Sequence, residues 1–393
     1  MKILMLTTKF KHKDGSPWLI SELAAELGRQ GHEVTVLNVE WSGDPVATTP
    51  GEFNVTLKNF SSVRVGRGKI SLALRWMFSS FKAVPSLLAD LFRGSRYDLL
   101  ICFSPCSALS VAIVAAKLIC KRSFLIYWDF FPIHNYEISE KLPSFALPLL
   151  KFLERCLIGC FSRVGCMSEK SILYFENYFG RMAGVHVSHL PIWTSFLRSE
   201  PNSRATVRER LGIDNESLVL VFGGQLSAGR GIEHICRAAI MAWEADRRIV
   251  LLICGSGDRL GQVREFEKLN PRAIKYGGSL SREEYLEVLG AADVGIVSTT
   301  GSTSSPSFPS KSLDYMASRL PILATVEFSS EFGAIVEGFD MGIACIAADV
   351  SDMAGAMGRI FSSRESMIKM GTNAQKYLRI HHSVEQVTRL ITD

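Results

Sequence analysis

Along this chain, short apolar blocks alternate with amphipathic stretches. Residues 2–8 (KILMLTT) read as a buried strand and 33–39 (EVTVLNV) as a second. Between them, over 17–30, Leu19, Leu23, Ala24 and Leu27 fall on one helical face, and Gly31 ends the helix. That is a parallel β-α-β unit. The same pattern predicts strands at 62–65, 98–103, 124–128, 164–167 and 186–190. Residues 191–203 (PIWTSFLRSEPNS) then lose the periodicity, carry two prolines and read as a linker. Beyond it the alternation restarts, with strands expected at 218–222, 249–254, 273–276, 294–297, 321–324 and 342–346. The expected fold is α/β: two Rossmann-like, doubly wound parallel-sheet domains facing each other across a cleft. The first spans 1–195 and the second 196–372, with a final helix at 373–393 packing back on the first.

A chain of 393 residues that is 47% hydrophobic and 21% charged suits two globular domains and excludes disorder, collagen and coiled coil. The nine cysteines sit in apolar runs without a Cys-x-x-Cys pair, and reduced core thiols are expected. The run 3–6 before Lys9 is too brief for a signal-peptide core, and no apolar stretch is long enough to span a bilayer. The expected location is the cytoplasm, extending to the inner face of the cell membrane. Charge is unevenly shared: residues 1–195 carry 22 Lys and Arg against 15 Asp and Glu, and the remainder 22 against 24. Within the basic half, 68–96 and 142–163 mix large apolar residues with cations, as do helices that lie in a membrane interface. A core-facing helix with solvated basic edges has the same composition. No dense basic run or reading motif points to nucleic acid.

Parallel sheets bind ligands beyond the carboxyl ends of their strands, which directs attention to three loops of the second half. Gly223-Gly224-Gln225-Leu226-Ser227-Ala228-Gly229-Arg230-Gly231 follows a strand and opens a helix. Its glycines allow amides to approach an anion, and Arg230 can donate two parallel hydrogen bonds to phosphate. It matches neither the P-loop nor the dinucleotide fingerprint, and no G-x-G-x-x-G follows the first strand, which argues against a dehydrogenase. Gly255-Ser256-Gly257 forms a second glycine turn. The third loop, 299–309 (TTGSTSSPSFP), leads into a helix starting Ser310-Lys311-Ser312-Leu313-Asp314. Ser310 is the expected N-cap, and Lys311 lies in the first turn, where a cation is unfavourable unless it faces an anion. Asp314 can meet a sugar hydroxyl or form an intrahelical ion pair with Lys311.

These blocks resemble the nucleotide-sugar half of GT-B glycosyltransferases of the retaining family 4, and the resemblance extends over nearly the whole chain. The family's G-R-L-x-x-x-K-G loop corresponds to 224–231, with Gln225 for the arginine and Arg230 for the lysine. Its glycine turn is similar to Gly255-Ser256-Gly257. Its E-x7-E pattern falls on Pro306 and Asp314, and Gly31-His32-Glu33-Val34 is similar to its G-H-E-V segment. The run from Pro309 to Met316 resembles the P-S-K-x-x-[DE]-Y-M helix of a subgroup that builds bacterial surface polysaccharides. Tyr127-Trp128-Asp129-Phe130-Phe131-Pro132 resembles that subgroup's D-x-[WYF]-P segment, which puts Asp129 at the cleft; a cap or structural turn is the other reading of Asp129.

The resemblance implies transfer of a sugar, with retention, from a nucleotide diphosphate sugar to a lipid-linked or saccharide acceptor. Asp129, Arg230 and Lys311 are the expected catalytic residues. Gly224, Gln225, Arg230, Gly255, Ser256, Gly257, Ser310, Lys311, Ser312 and Asp314 are expected at the donor. No cofactor is expected, a UDP-sugar is expected ahead of a GDP-sugar, and, with no Asp-x-Asp in the chain, the reaction is expected to need no metal. Gln225 and Pro306 leave two alternatives open: a nucleotide-sugar-binding scaffold that has lost catalysis, or a GT-B nucleotide-sugar epimerase.

Overall fold

The computed structural model describes residues 1–10, 19–40, 53–63, 76, 78–139, 142–195, 203–301, 303–361 and 363–393. Seven strands make the first sheet: β1 (Lys2–Thr7), β2 (Glu33–Glu40), β3 (Val55–Ser61), β4 (Tyr97–Phe103), β5 (Cys120–Tyr127), β6 (Arg163–Cys166) and β7 (His186–His189), in the order β3-β2-β1-β4-β5-β6-β7. Six make the second: β8 (Leu218–Gly223), β9 (Ile249–Cys254), β10 (Ile274–Gly278), β11 (Val294–Ser298), β12 (Ile322–Val326) and β13 (Gly342–Ile346), ordered β10-β9-β8-β11-β12-β13. All pairings are parallel. Strand order reverses between β1 and β4 and between β8 and β11, and the crevices open at those points.

Each sheet is sandwiched between two apolar layers. Leu4, Leu100 and Leu125 point to one side of the first sheet, while Ile3, Ile101 and Ile126 point to the other, as the two-residue period of a strand requires. The second sheet divides in the same way, with Val221 and Leu252 on one side and Leu220 and Leu251 on the other. Strands buried on both faces read as continuous apolar runs, which is why most were legible in the sequence. β3 was not. A strand was expected at 62–65, but the strand is Val55–Ser61, a polar edge in which only Val55 and Leu57 are buried, and 64–65 lie outside the described residues. The helix expected at 17–30 is Leu19–Arg29, residues 17 and 18 lying outside the described part.

The chain's end departs from the expected single helix. Helix Arg364–His381 stays on the second domain, where Ala374 and Leu378 enter its core and Gly371 lies so close to Arg319 that a Cβ would stand 2.0 Å from the Arg319 carbonyl oxygen. The chain then breaks: Ser383 caps a new helix, Val384–Thr392, by accepting from Gln386 N. Only this last helix returns to the first domain, burying Val384, Val387 and Ile391 beside Ile20, Leu23 and Leu27. The break sits on the interdomain segment, Thr194 N donating to the His382 carbonyl at 2.9 Å. Ile391→Ala is expected to cost about 2–5 kcal/mol in denaturant unfolding.

Candidate active site

The site begins where β8 and β9 run out. Gly224 has φ +116° and donates to the Cys254 carbonyl at 3.0 Å, and Leu226 N donates to the Ser256 carbonyl at 2.8 Å, so the two glycine loops are laced backbone to backbone. A Cβ on Gly255 would lie 1.8 Å from the Gly224 oxygen and one on Gly257 2.2 Å from the Leu226 oxygen. Gly255, at φ +134°, is therefore required both by backbone conformation and by space. Gly255 and Gly257, expected at the donor, shape the Gly224 loop. Gly224 and Gln225 are exposed at its tip. The loop does not open a helix directly, as expected: a single turn, Ala228–Arg230, comes first, then Gly231 at φ +58°, then helix Ile232–Ala245.

Arg230, on that single turn, is half-buried, and its side chain has no hydrogen bond or ion pair with any described residue. Lys311 opens helix Lys311–Ala317, with its Nζ 3.5 Å from the centroid of the Phe222 ring. That ammonium is buried without a hydrogen-bond partner among the described residues, and its Cε passes 4.0 Å from the position of a Cβ on Gly224. Burial first, and the neighbouring Arg230 charge second, hold its pKa well below the usual lysine value. A buried, unpaired cation is costly, and facing a second cation raises the cost. An anion received between them removes it.

Two expectations for the same helix are corrected. Ser310 occupies the N-cap position, but with helical backbone angles and no side-chain cap bond; Ser312 is the buried serine, and its Oγ donates to the Pro309 carbonyl at 2.7 Å. Asp314 forms no pair with Lys311. Both its carboxylate oxygens are taken by Arg282 in a two-pronged contact. Arg282 opens a helix whose start, Ser281-x-x-Glu284, was readable as a capping box. Glu22, from the first domain, feels the charges of Arg282 and Asp314 and accepts from Ser195 N at 3.1 Å; burial pushes its carboxyl up to about 7.

Asp129 lies past the end of β5 on the first-domain wall, largely exposed, with Oδ1 3.9 Å from His134 Nε2. His134 Nδ1 is 3.2 Å from Ser305 Oγ of the second domain. Glu137, on the same helix as His134, accepts from Ser304 N at 3.0 Å and Ser304 Oγ at 2.5 Å. Ile138 meets Gly229 so closely that a Cβ there would stand 3.0 Å from it. The loop 299–309 is thus gripped from across the cleft. Pro306 is buried in it, and beneath it the buried Glu327 accepts from Thr299 Oγ1 and from Ser307 Oγ. His134, Glu137, Arg282 and Glu327 escaped the sequence reading. Only His134, three residues beyond Phe131 in the run holding Asp129, and Arg282, behind a capping box, carried a local signal. Among the described residues no three His, Cys, Asp or Glu side chains gather as a metal set.

Two family models divide the chain where the two sheets divide it. Glycosyltransferase Family 4 matches residues 14–195, and Glycosyl transferases group 1 matches 203–377. The chain is a GT-B glycosyltransferase of the family 4 type. No curated protein matches it in sequence. In fold, this glycosyltransferase is similar to sucrose-phosphate synthase from Thermosynechococcus elongatus, at TM-score 0.74 and 16% identity, over 100% of this chain and 98% of that one. HepE of Anabaena, in complex with UDP-glucose, gives 0.70 and 18% over 100% and 98%. WaaG, a glycosyltransferase involved in lipopolysaccharide biosynthesis, gives 0.68 and 14% over 99% of both.

An anion seated between Arg230 and Lys311 raises the lysine's pKa toward the ordinary value of 10.5. At any pH between the lowered value of the free protein and that value, binding must take up a proton, so affinity falls as pH rises. Calorimetry with inorganic pyrophosphate in buffers of different ionisation enthalpy is expected to register this uptake, and Lys311→Met to abolish it.

Proposed function

We propose that the protein transfers a glycosyl unit from a nucleotide diphosphate sugar to a lipid-linked or saccharide acceptor of bacterial surface polysaccharide synthesis. The UDP-sugar is preferred over the GDP-sugar, the anomeric configuration is retained, and no metal or cofactor takes part. The observation that carries this reading is the buried Lys311 ammonium beside Arg230, neither with a hydrogen-bond or ion-pair partner among the described residues, at the switch point of the second sheet. HepE's complex with UDP-glucose and WaaG's part in lipopolysaccharide biosynthesis support the donor and acceptor classes.

Breaking the sugar–phosphate bond leaves negative charge on the departing diphosphate and positive character on the sugar carbon. Cations already in position stabilise that charge without reorganising, and each charged hydrogen bond contributes about 1.5–3 kcal/mol. Arg230 and Lys311 fill that role, with the amides of Gln225 and Ser310 beside them; those of Gly224 and Ser312 are taken by the Cys254 and Pro309 carbonyls. Gly255, Ser256 and Gly257 hold the loop in place, and Asp314, held by Arg282, fixes the helix that presents Lys311. The acceptor oxygen bonds to the anomeric carbon as the carbon–oxygen bond to phosphate breaks, and the acceptor's proton leaves with the diphosphate. Asp129, exposed on the opposite wall, orients the acceptor hydroxyl.

Arg230→Ala is expected to lower kcat/KM on the order of 10²-fold while leaving the melting temperature nearly unchanged, measured with a panel of labelled donors. Full activity in the variant overturns the assignment. Tight nucleotide binding with no turnover of any donor favours the scaffold reading, and turnover of a donor without acceptor into an isomeric nucleotide sugar favours the epimerase. Activity is also expected to survive exhaustive EDTA treatment; its loss, with recovery on adding a divalent ion, overturns the two-cation account.

A further inference from the structure

β8, β9 and β10 lie side by side and run parallel, so their amino ends share one edge of the second sheet, opposite the Gly224 and Gly255 loops. The six residues of β8 put about 20 Å between that edge and the candidate active site. The edge is hollowed. A cavity of about 570 Å³ opens between the loop 212–217, the end of helix Ile232–Ala245 and the segment 271–275, with Ile213, Trp243 and Val250 as its apolar lining.

The charged lining is three cations, Arg247, Arg272 and Lys275, against one carboxylate, Asp214. That bias runs against the surroundings, since residues 196–393 carry 22 Lys and Arg against 24 Asp and Glu. Arg247 rests its guanidinium 3.8 Å from the centre of the Trp243 ring, and Lys275 Nζ lies 4.0 Å from the position of a Cβ on Gly212. None of the three cations makes a hydrogen bond or ion pair with a described residue. Neighbouring carboxylates are committed elsewhere. Asp246 is held by Arg248 at 2.8 Å, and Glu267 by Arg264 at 3.2 Å and Tyr276 N at 2.9 Å.

The wall of the cavity is fixed from within. Arg208, only 1% exposed, donates to the carbonyls of Asp214, Asn215 and Ser217 and pairs with Asp293 at 2.8 Å. Three carbonyl oxygens that would repel an anion are thereby taken, and Asp214 Oδ1 accepts from Glu216 N at 2.9 Å. Three like charges around one hollow raise one another's energy, and an anion between them lowers it. Two arginine forks suit phosphate oxygens. The lining's net charge of +2 is matched by a phosphomonoester, which carries about −2 near neutral pH, and a single carboxylate leaves it half-met. The volume is that of a small-molecule pocket, so the apolar lining is left to an organic body attached to the phosphate.

We propose that this cavity is a second anion site, which takes a phosphomonoester of a small organic molecule, its phosphate on Arg247, Arg272 and Lys275 and its body over Ile213, Val250 and Trp243. The proposal goes beyond the transfer reaction and does not rest on it, because the two sites share no residue.

Calorimetric titration of the full chain with phenyl phosphate, glycerol 3-phosphate and inorganic phosphate tests it. At least one ester is expected to bind about tenfold or more tightly than inorganic phosphate. A tighter phenyl phosphate makes the occupant's body a planar ring, and a tighter glycerol 3-phosphate an aliphatic chain. Replacing Arg247 and Arg272 together by Ser is expected to weaken the ester about tenfold or more, and Lys275→Met alone to do the same. Arg230→Ala is expected to bind it as wild type does, which separates this site from the cations of the active site. The proposal is overturned if neither ester binds, if inorganic phosphate binds as tightly as both, if the double variant binds as wild type does, or if Arg230→Ala abolishes binding.

Discussion

The candidate site depends on a close approach of two backbones. β8 and β9 deliver their carboxyl ends side by side, and the loops that follow hydrogen-bond to each other at Gly224–Cys254 and Leu226–Ser256 with no room for a Cβ at Gly255 or Gly257. This lacing leaves the Gly224–Gln225 tip exposed and opens the floor along which Lys311 lies over the Phe222 ring. A Cβ at Gly224 would only touch the lysine stem, at 4.0 Å; it is the backbone, at φ +116°, that calls for glycine there.

Lys311 costs the empty protein stability, since its ammonium is buried without an acceptor and lies near Arg230. Such a cost persists only where the surroundings over-determine the geometry. Tyr315, one helical turn further on, is buried and accepts from Gly223 N at 3.1 Å, and Asp314 is clamped by Arg282, so the helix cannot rotate to carry the lysine into water. The same residues explain why Asp314, although three positions from Lys311, does not neutralise it. Arg282 offers a planar two-pronged match that an ammonium lacks.

What could be read from the sequence was whatever is written locally. Apolar runs gave most of the strands, and β3 was misplaced because an edge strand with Lys58 and Asn59 lacks that signature. The glycine loops and the misplaced first-turn cation were visible for the same reason: each is a local departure from propensity. Asp314's partner was not, because Arg282 lies 32 residues away and meets it only once two helices have packed. His134 and Ser305 are separated by 171 residues and come from different domains. The final helix was misread because its amphipathic pattern runs on through His382, whereas the break there is set by the tertiary contact of His382 and Ser383 with Ile192 and Thr194.

The contacts between the domains are of two kinds, and the difference bears on how a donor enters. Near the interdomain segment they are apolar: Leu19 and Trp128 of the first domain each touch the cores of both domains, and Trp193 backs them from within the first core, its ring tilted 46° to Trp128 at 5.4 Å and its Nε1 donating to the Leu19 carbonyl at 2.8 Å. Across the mouth they are hydroxyl–carboxylate and hydroxyl–imidazole contacts from Ser304 and Ser305, plus Lys170 to Glu331 and the Phe328 carbonyl. Contacts of this second kind exchange readily with water and contribute about 0.5–1.5 kcal/mol each, whereas lifting Leu19 and Trp128 off the second core exposes apolar surface. The cheap motion is therefore rotation about the Trp128–Trp193 region, with the serine contacts breaking first. Because those serines sit on the loop that leads into Lys311, opening the cleft and freeing the cation's surroundings are one movement.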